Sequence, residues 1–235
     1  MNSIEMNITG VILCGGKGTR LHSVVSDRPK PMAEVAGKPF LDYLIFNLVD
    51  NGIKQIILST GFMSGFIRKY YAGKDMGAEI IISEEKEPLG TAGALKLAEP
   101  LIKSDPFFVL NGDSICFERL EVILNFHLLK NAEITILLSR AENTADYGSI
   151  SLNNNSRITG FAEKRHSSGS GLVNAGVYVF SKNALTALPA CKSLSLEHDV
   201  FTASEKIYGV ATENDFIDIG TAERYISAGK FLKNQ

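Results

Sequence analysis

The sequence predicts an α/β fold whose sheet is mostly parallel and covered on both faces. Two observations carry this expectation. Short, nearly continuous apolar runs, such as 8–13 and 106–110, have the length of strands buried on both sides. They alternate with segments whose apolar residues recur at helical spacing. A third observation adds to them: several of these strands end in glycine-containing turns, where an open α/β sheet gathers its ligand-binding loops.

The elements follow in order. Segment 8–13 is a strand that runs into glycines. Pro39 suits the first turn of a helix to about residue 50, because its missing N–H costs nothing there. Phe40, Tyr43, Leu44 and Leu48 supply that helix's apolar stripe, and Asn51-Gly52 ends it. Strand 55–59, a loop at Gly61, helix 63–71, strand 79–83, helix 91–98 and strand 106–110 continue the alternation. Helix 117–130 places Leu120, Ile123, Leu124 and Leu128 on one side, and strand 133–138 follows. Past 140 the rhythm changes. Short strands at 146–151, 157–162 and 176–180 are separated by Asn153-Asn154-Asn155 and by the Ser/Gly-rich stretch 166–171. Strand 206–210 and a helix from 221 to about 230 complete the reading. No long linker separates the halves, so 1–235 reads as one domain with halves of about 1–140 and 141–235.

Composition excludes some classes. With 24 basic and 26 acidic side chains among 235 residues, the net charge of -2 offers no bulk surplus for nucleic acid or a membrane surface. No apolar run approaches the roughly 20 residues that cross a bilayer. The first ten residues lack a basic start followed by an apolar run, so no signal peptide is expected. Cys14, Cys116 and Cys191 show no metal-ligand spacing and read as reduced thiols. The cytoplasm is the expected compartment.

The chemistry concentrates in a few stretches. In VILCGGKGTRL, residues 11–21, Gly15, Gly16 and Gly18 let successive backbone N–H groups turn inward as an anion nest. Arg20 adds a fork of donors suited to phosphate, and Lys30 stands in a loop stiffened by Pro29 and Pro31. Neither G-x-x-x-x-G-K-[ST] nor G-x-G-x-x-G is met, so the loop alone is equally a tight turn with solvated Lys17 and Arg20. Asp113 follows the strand ending in Asn-Gly-Asp, and Asp218 stands in an apolar setting before Gly220. Singly, each is as readily a cap. Converging on a hard cation such as Mg²⁺, they would lose the cost of unpaired burial. In EEKEPLGTAGA, residues 84–94, Gly90 permits close approach and Thr91 suits a helix cap. A carboxylate from Glu84 or Glu85 could accept from the N1–H and N2 amine of guanine together, whereas thymine and uracil offer one ring N–H between repelling carbonyls. Glu163 and Asn174 suit sugar hydroxyls, and Lys164 a phosphate. None of His22, His127, His166 and His198 is assigned to catalysis, and Cys14 has no evident base beside it.

The run 11–21 together with RPKP at 28–31 resembles the signature of the sugar-1-phosphate nucleotidyltransferases, and the likeness extends from residue 8 to about 225. Cys14 departs from the alanine usual there, and His22-Ser23-Val24-Val25 stands where many members have a proline-threonine stretch. The resemblance implies a Rossmann-like, three-layer, glycosyltransferase-A-like fold with a mixed, mostly parallel sheet. It implies a first half that binds the nucleotide and a second that binds the sugar phosphate. It also implies transfer of a nucleotidyl group from a nucleoside triphosphate to a sugar 1-phosphate, with release of pyrophosphate. On this footing Arg20, Lys30, Asp113 and Asp218 are catalytic, the two aspartates holding Mg²⁺. The nucleotide falls to Leu13, Gly15, Gly16, Gly18, Thr19, Arg20, Gly61, Glu84, Glu85, Gly90 and Thr91. The sugar phosphate falls to Gly148, Glu163, Lys164 and Asn174. The runs 23–32, 37–41 and 195–201 are similar to the D-glycero-α-D-manno-heptose 1-phosphate guanylyltransferase subgroup, which implies GTP as donor. Mannose-1-phosphate guanylyltransferases and the uridylyl-, cytidylyl- and thymidylyltransferases share most of these residues and stay open as alternatives. So does a non-catalytic nucleotide-sugar sensor, from which the retained metal carboxylates distinguish this chain. A homodimer is one of the open arrangements.

Overall fold

The computed structural model describes residues 6–16, 18, 20–21, 24–162, 169–190 and 193–233. The chain order is β1 (Met6–Leu13), β2 (Glu34–Val35), β3 (Lys38–Pro39), α1 (Phe40–Asp50), β4 (Ile53–Thr60), α2 (Ser64–Tyr71), β5 (Glu79–Glu84), α3 (Gly90–Ala98), β6 (Phe107–Asn111), β7 (Ser114–Cys116) and α4 (Leu120–Lys130). It continues with β8 (Ile134–Ala141), β9 (Ser149–Leu152), β10 (Ile158–Ala162), β11 (Gly171–Phe180), α5 (Lys182–Thr186), a π-helical turn (Leu196–Val200), β12 (Ile207–Thr212), β13 (Phe216–Asp218) and α6 (Ala222–Leu232).

One seven-stranded sheet, ordered β12-β8-β11-β6-β1-β4-β5, runs through the molecule. β1 pairs in parallel with β4 and β6, β4 with β5, and β8 with β12. β11 alone runs the other way, antiparallel to both β6 and β8. The mixed, mostly parallel sheet and the flanking helices are therefore as the sequence indicates. The two-residue side-chain period of each strand divides the core between two faces. Ile12, Ile56, Leu58, Phe108, Leu110, Val177 and Val179 pack beneath α1, α2, α4 and α6. Their neighbours Val11, Ile57, Val109, Tyr178 and Phe180 pack against α3, α5 and the π-helical turn. No helix among the described residues is long and apolar enough to cross a membrane.

Three local expectations are corrected. Pro39 is the residue before α1 rather than part of its first turn; it ends the β2–β3 hairpin with ψ 142°, an extended value. Thr91 does not cap α3, because the helix already begins at Gly90. In α4 the buried face continues from Leu120 and Ile123 to His127, leaving Leu128 57% exposed.

His127 is buried because its polar atoms find partners across the core. Nδ1 lies 2.9 Å from Thr135 Oγ1 and Nε2 lies 3.1 Å from Ser181 Oγ. Ser181 Oγ donates to Ala132 O, so it accepts from Nε2–H, and Thr135 donates to Nδ1. The ring is thus held neutral, and burial pushes its pKa down to about 4 from 6.5, against a weaker opposing pull from Asp105. A depressed folded-state pKa means the contribution is fully present above about 6.5 and lost as pH falls toward 4. Unfolding free energy is expected to drop by about 2 kcal/mol between pH 7 and pH 5 from this group. Urea titrations at the two pH values check this: a His127→Gln variant should lose distinctly less over the same interval.

Candidate active site

The carboxyl ends of β1, β4 and β6 and the entering end of antiparallel β11 open onto one cleft of about 960 Å³. That is where an open α/β sheet leaves its loops free to meet a ligand. The loop after β1 forms one wall, with Leu13, Gly15, Gly16, Gly18 and Arg20 lining it. Gly18 has φ +60°, and a Cβ there would stand 2.7 Å from Lys30 Cβ, so the lysine stem passes directly over bare backbone. Cys14 also lines this wall, yet its thiol is fully buried, donates to Ile12 O at 3.4 Å and is pushed up by burial and by Asp113. It is no nucleophile.

Lys30 opens a single 3-10 turn, Lys30–Met32, whose preceding Pro29 is in extended conformation. The packed turn leaves the Lys30 side chain 10% exposed, with Nζ 2.6 Å from Asp113 Oδ2. Asp113 stands in the turn between β6 and β7, and its carbonyl accepts from Ile219 N at 2.9 Å. β13 pairs antiparallel with β7, setting Asp218 opposite Ser114, one residue from Asp113. Two aspartates far apart in sequence therefore line the same cleft.

The Asp218 side chain is 9% exposed and fully engaged. Oδ1 accepts from Gly220 N at 2.7 Å and from Arg224 Nη1 at 2.9 Å. Oδ2 accepts from Tyr147 OH at 2.6 Å and from the same Nη1 at 3.0 Å. Burial and then Asp218 push the Tyr147 phenol up, so it stays protonated and donates. Arg224 stacks over the Tyr147 ring at 4.6 Å and reaches Asp146 with Nη2 at 3.2 Å. Thr221 caps α6, accepting from Arg224 N, which fixes where this arginine begins.

The opposite wall carries Glu85 but not Glu84. Glu84 is paired with Arg68 of α2 and does not line the cleft. Glu85 does: Oε2 accepts from Leu89 N at 3.1 Å, and a Cβ on Gly61 would stand 2.5 Å from Oε1. Burial pushes this carboxyl above the ordinary glutamate range, with the Leu89 N–H offsetting part of the effect. Gly90 has φ +71°, and a side chain there would run into the Leu194 carbonyl, which accepts from Ala92 N at 2.9 Å. Thr91 Oγ1 accepts from Leu196 N at 2.8 Å, so this hydroxyl ties α3 to the π-helical turn instead of capping its own helix.

Asn174 of β11 donates Nδ2–H to Tyr178 OH at 2.9 Å and accepts from Gly176 N at 2.8 Å. Asn111 reaches the same phenol at 3.1 Å. Gly148 is buried and is not part of the lining. Thr19, Glu163 and Lys164 lie outside the described residues. Tyr147, Arg224, Asp146, Asn111 and Tyr178 line the cleft without having been singled out as site residues in the sequence. Asn111 had a signal, standing at a strand end two residues before Asp113; Arg224 and Tyr147 had none beyond their nearness to Asp218 and Gly148.

The residues that could hold a hard divalent cation are two carboxylates lining the cleft, Asp113 in the β6–β7 turn and Asp218 on β13, oxygen donors of the kind such an ion takes. Among the described residues no cluster of three or more His, Cys, Asp or Glu side chains gathers.

Comparison with known proteins identifies the family. The family model described as nucleotidyl transferase matches residues 9–235. A D-glycero-α-D-manno-heptose 1-phosphate guanylyltransferase from Aneurinibacillus thermoaerophilus is 36% identical over 95% of this chain and 98% of its own. The mannose-1-phosphate guanylyltransferase catalytic subunit beta of Drosophila melanogaster is also 36% identical, over 92% of this chain, which spans 60% of that longer protein. The crystal structure of HddC from Yersinia pseudotuberculosis complexed with GMP-PN superposes with a TM-score of 0.88 at 33% identity, covering 96% of this chain and all of that one. With a strand-end glycine loop, an adjacent lysine and two aspartates lining one cleft, this chain belongs to the nucleotidyl transferase family.

Proposed function

We propose that the protein is a sugar-1-phosphate guanylyltransferase of the cytoplasm that joins GTP to D-glycero-α-D-manno-heptose 1-phosphate, giving GDP-heptose and pyrophosphate. The observation that carries this is the gathering of the glycine loop, Arg20, Lys30, Asp113, Asp218 and Glu85 around one cleft. In this reading the first half, about 1–140, takes the nucleotide, the second takes the sugar phosphate, and the whole is glycosyltransferase-A-like. The named guanylyltransferases among the relatives support the choice of GTP, and the heptose enzyme that matches over both full lengths supports the sugar.

The attacking phosphate oxygen is already anionic, so positioning and charge neutralisation carry the reaction. The N–H groups of the glycine loop and the Arg20 guanidinium hold the β- and γ-phosphates. Lys30, with Lys164, draws the sugar phosphate toward the α-phosphate and offsets the repulsion between the two anions. Asp113 and Asp218 would hold Mg²⁺, which would supply Lewis-acid charge to the reaction. Glu85, partly desolvated at Gly15 and Gly61, accepts from the two N–H groups on the guanine edge, and Asn174 meets a sugar hydroxyl.

The base assignment makes a prediction. Glu85→Gln removes a charged acceptor and is expected to raise the KM for GTP about 10- to 100-fold, while Glu84→Gln, which only releases Arg68, leaves it near the parent value. Steady-state kinetics of both variants with GTP check it. The whole reading is tested by pyrophosphate release with Mg²⁺ across ATP, GTP, CTP, UTP and dTTP against heptose, mannose and glucose 1-phosphates. Release with GTP and the heptose phosphate supports it. Preference for mannose 1-phosphate replaces the sugar, preference for another triphosphate removes the Glu85 argument, and nucleotide binding without release on any pair points to a sensor.

A further inference from the structure

Among the described residues Arg224 is the one basic side chain bonded to Asp218, and its placement limits how that carboxylate can take another cation. A carboxylate offers about four lone-pair directions. On Asp218 all of these are used: Gly220 N and Arg224 on Oδ1, Tyr147 OH and Arg224 on Oδ2. A divalent cation binding directly to Asp218 must therefore displace a donor. The Gly220 N–H is fixed in the turn that leads into α6. The Tyr147 hydroxyl is neutral, sits on a ring wedged edge-on against Phe216 at 5.7 Å, and does not repel a cation. Arg224 carries like charge to the incoming ion, and it already has a second acceptor in Asp146 Oδ2 at 3.2 Å from Nη2. Asp146 is largely exposed, so it can take the whole guanidinium without being dehydrated.

We infer that Arg224 is the resident counter-cation of Asp218, which metal binding displaces onto Asp146, so that this arginine sets the threshold for metal entry. The Tyr147 ring beneath the guanidinium provides a surface on which it can slide between the two carboxylates without losing its stacking contact. The inference rests on the reading that Asp113 and Asp218 hold the metal. It makes Arg224 a positioning residue whose removal increases an affinity, an effect that simple loss of structure does not produce.

The test is Mn²⁺ binding to the full chain, followed by the electron paramagnetic resonance signal of the free ion, with no turnover involved. Mn²⁺ stands in for Mg²⁺ because it takes the same hard oxygen ligands. Arg224→Ala is expected to tighten Mn²⁺ binding about tenfold, since removing a competing equilibrium returns the coupling energy to the metal. Arg224→Gln, which keeps a hydrogen-bond donor of similar reach and loses the charge, should move in the same direction and serves if the alanine variant does not fold. Asp146→Asn, which weakens the landing place, should loosen binding. Unchanged or weaker binding in both Arg224 variants, with Asp218→Asn still reducing affinity, overturns the inference while leaving the metal reading standing. An Asp218→Asn variant that binds Mn²⁺ as the parent does overturns both.

Discussion

Lys30→Ala is expected to lower the rate of pyrophosphate release by about 10²- to 10³-fold and to leave the protein folded. The asymmetry comes from where each end of this side chain lies. Its stem is packed over Gly18 and is 10% exposed, so its loss removes a little buried hydrocarbon, about 1 kcal/mol. Its ammonium is a different matter. Nζ is 2.6 Å from Asp113 on the floor of the cleft, where two anionic substrates must be brought together. Asp113 is 40% exposed and stays solvated when the lysine goes, so no unpaired charge is stranded and stability changes little. Turnover and thermal unfolding measured on the same preparation separate the two effects. Lys30→Arg is not expected to rescue the rate, because a planar fork cannot occupy the place of a compact ammonium beside Asp113.

Gly90→Ala is expected to cost at least about 2 kcal/mol of stability, and the melting temperature should fall by roughly 5 °C or more. Two independent penalties act at this position. The backbone has φ +71°, which an L side chain resists, and the added methyl meets the Leu194 carbonyl, a backbone atom that cannot swing aside. That carbonyl is held by Ala92 N, and the segment is also held by Leu194 N to Leu89 O at 2.9 Å and Leu196 N to Thr91 Oγ1. Pushing it off α3 therefore moves Ser195, Leu196 and Glu197, which line the cleft, and a raised KM for the sugar phosphate should accompany the lower melting temperature. Gly65, whose Cβ would meet open space, is the control: Gly65→Ala should be neutral or slightly stabilising.

The fold was legible where burial is two-sided. Runs such as 106–110, found as β6 at Phe107–Asn111, read as strands because both side-chain faces must be apolar when helices cover both sides of a sheet. The ends of those strands then locate the cleft, which is why Asp113 and the glycine loop could be singled out without a structure. Glu84 and Glu85 are adjacent and identical in type, so composition cannot choose between them. The choice follows from Glu84 completing β5 and facing Arg68, while Glu85 turns back toward Thr60. In α4, apolar periodicity favours Leu128 over His127, and only the hydroxyls of Thr135 and Ser181, contributed by other elements, make the histidine the buried choice. Arg224 and Tyr147 escaped because their shared partner is chosen by tertiary placement: the capped start of α6 turns Arg224 back onto Asp218, and Tyr147 reaches the same carboxylate from 71 residues away.

The reversed strand β11 also governs the order in which the molecule can be assembled. It fills the gap between β6 and β8, two strands that precede it in the chain. A chain emerging from the ribosome has therefore made β1, β4, β5, β6 and β8 before the strand that joins them exists. Until then β6 and β8 each present an open row of backbone donors and acceptors on strands whose side chains are mostly apolar, the kind of edge that recruits other chains. Asn174, which belongs to that late strand, reaches the cleft in the same event that closes the sheet. The Asn174 side of the cleft is thus completed only when the gap between β6 and β8 is sealed, so partially synthesised chains have the glycine loop but not the finished cleft.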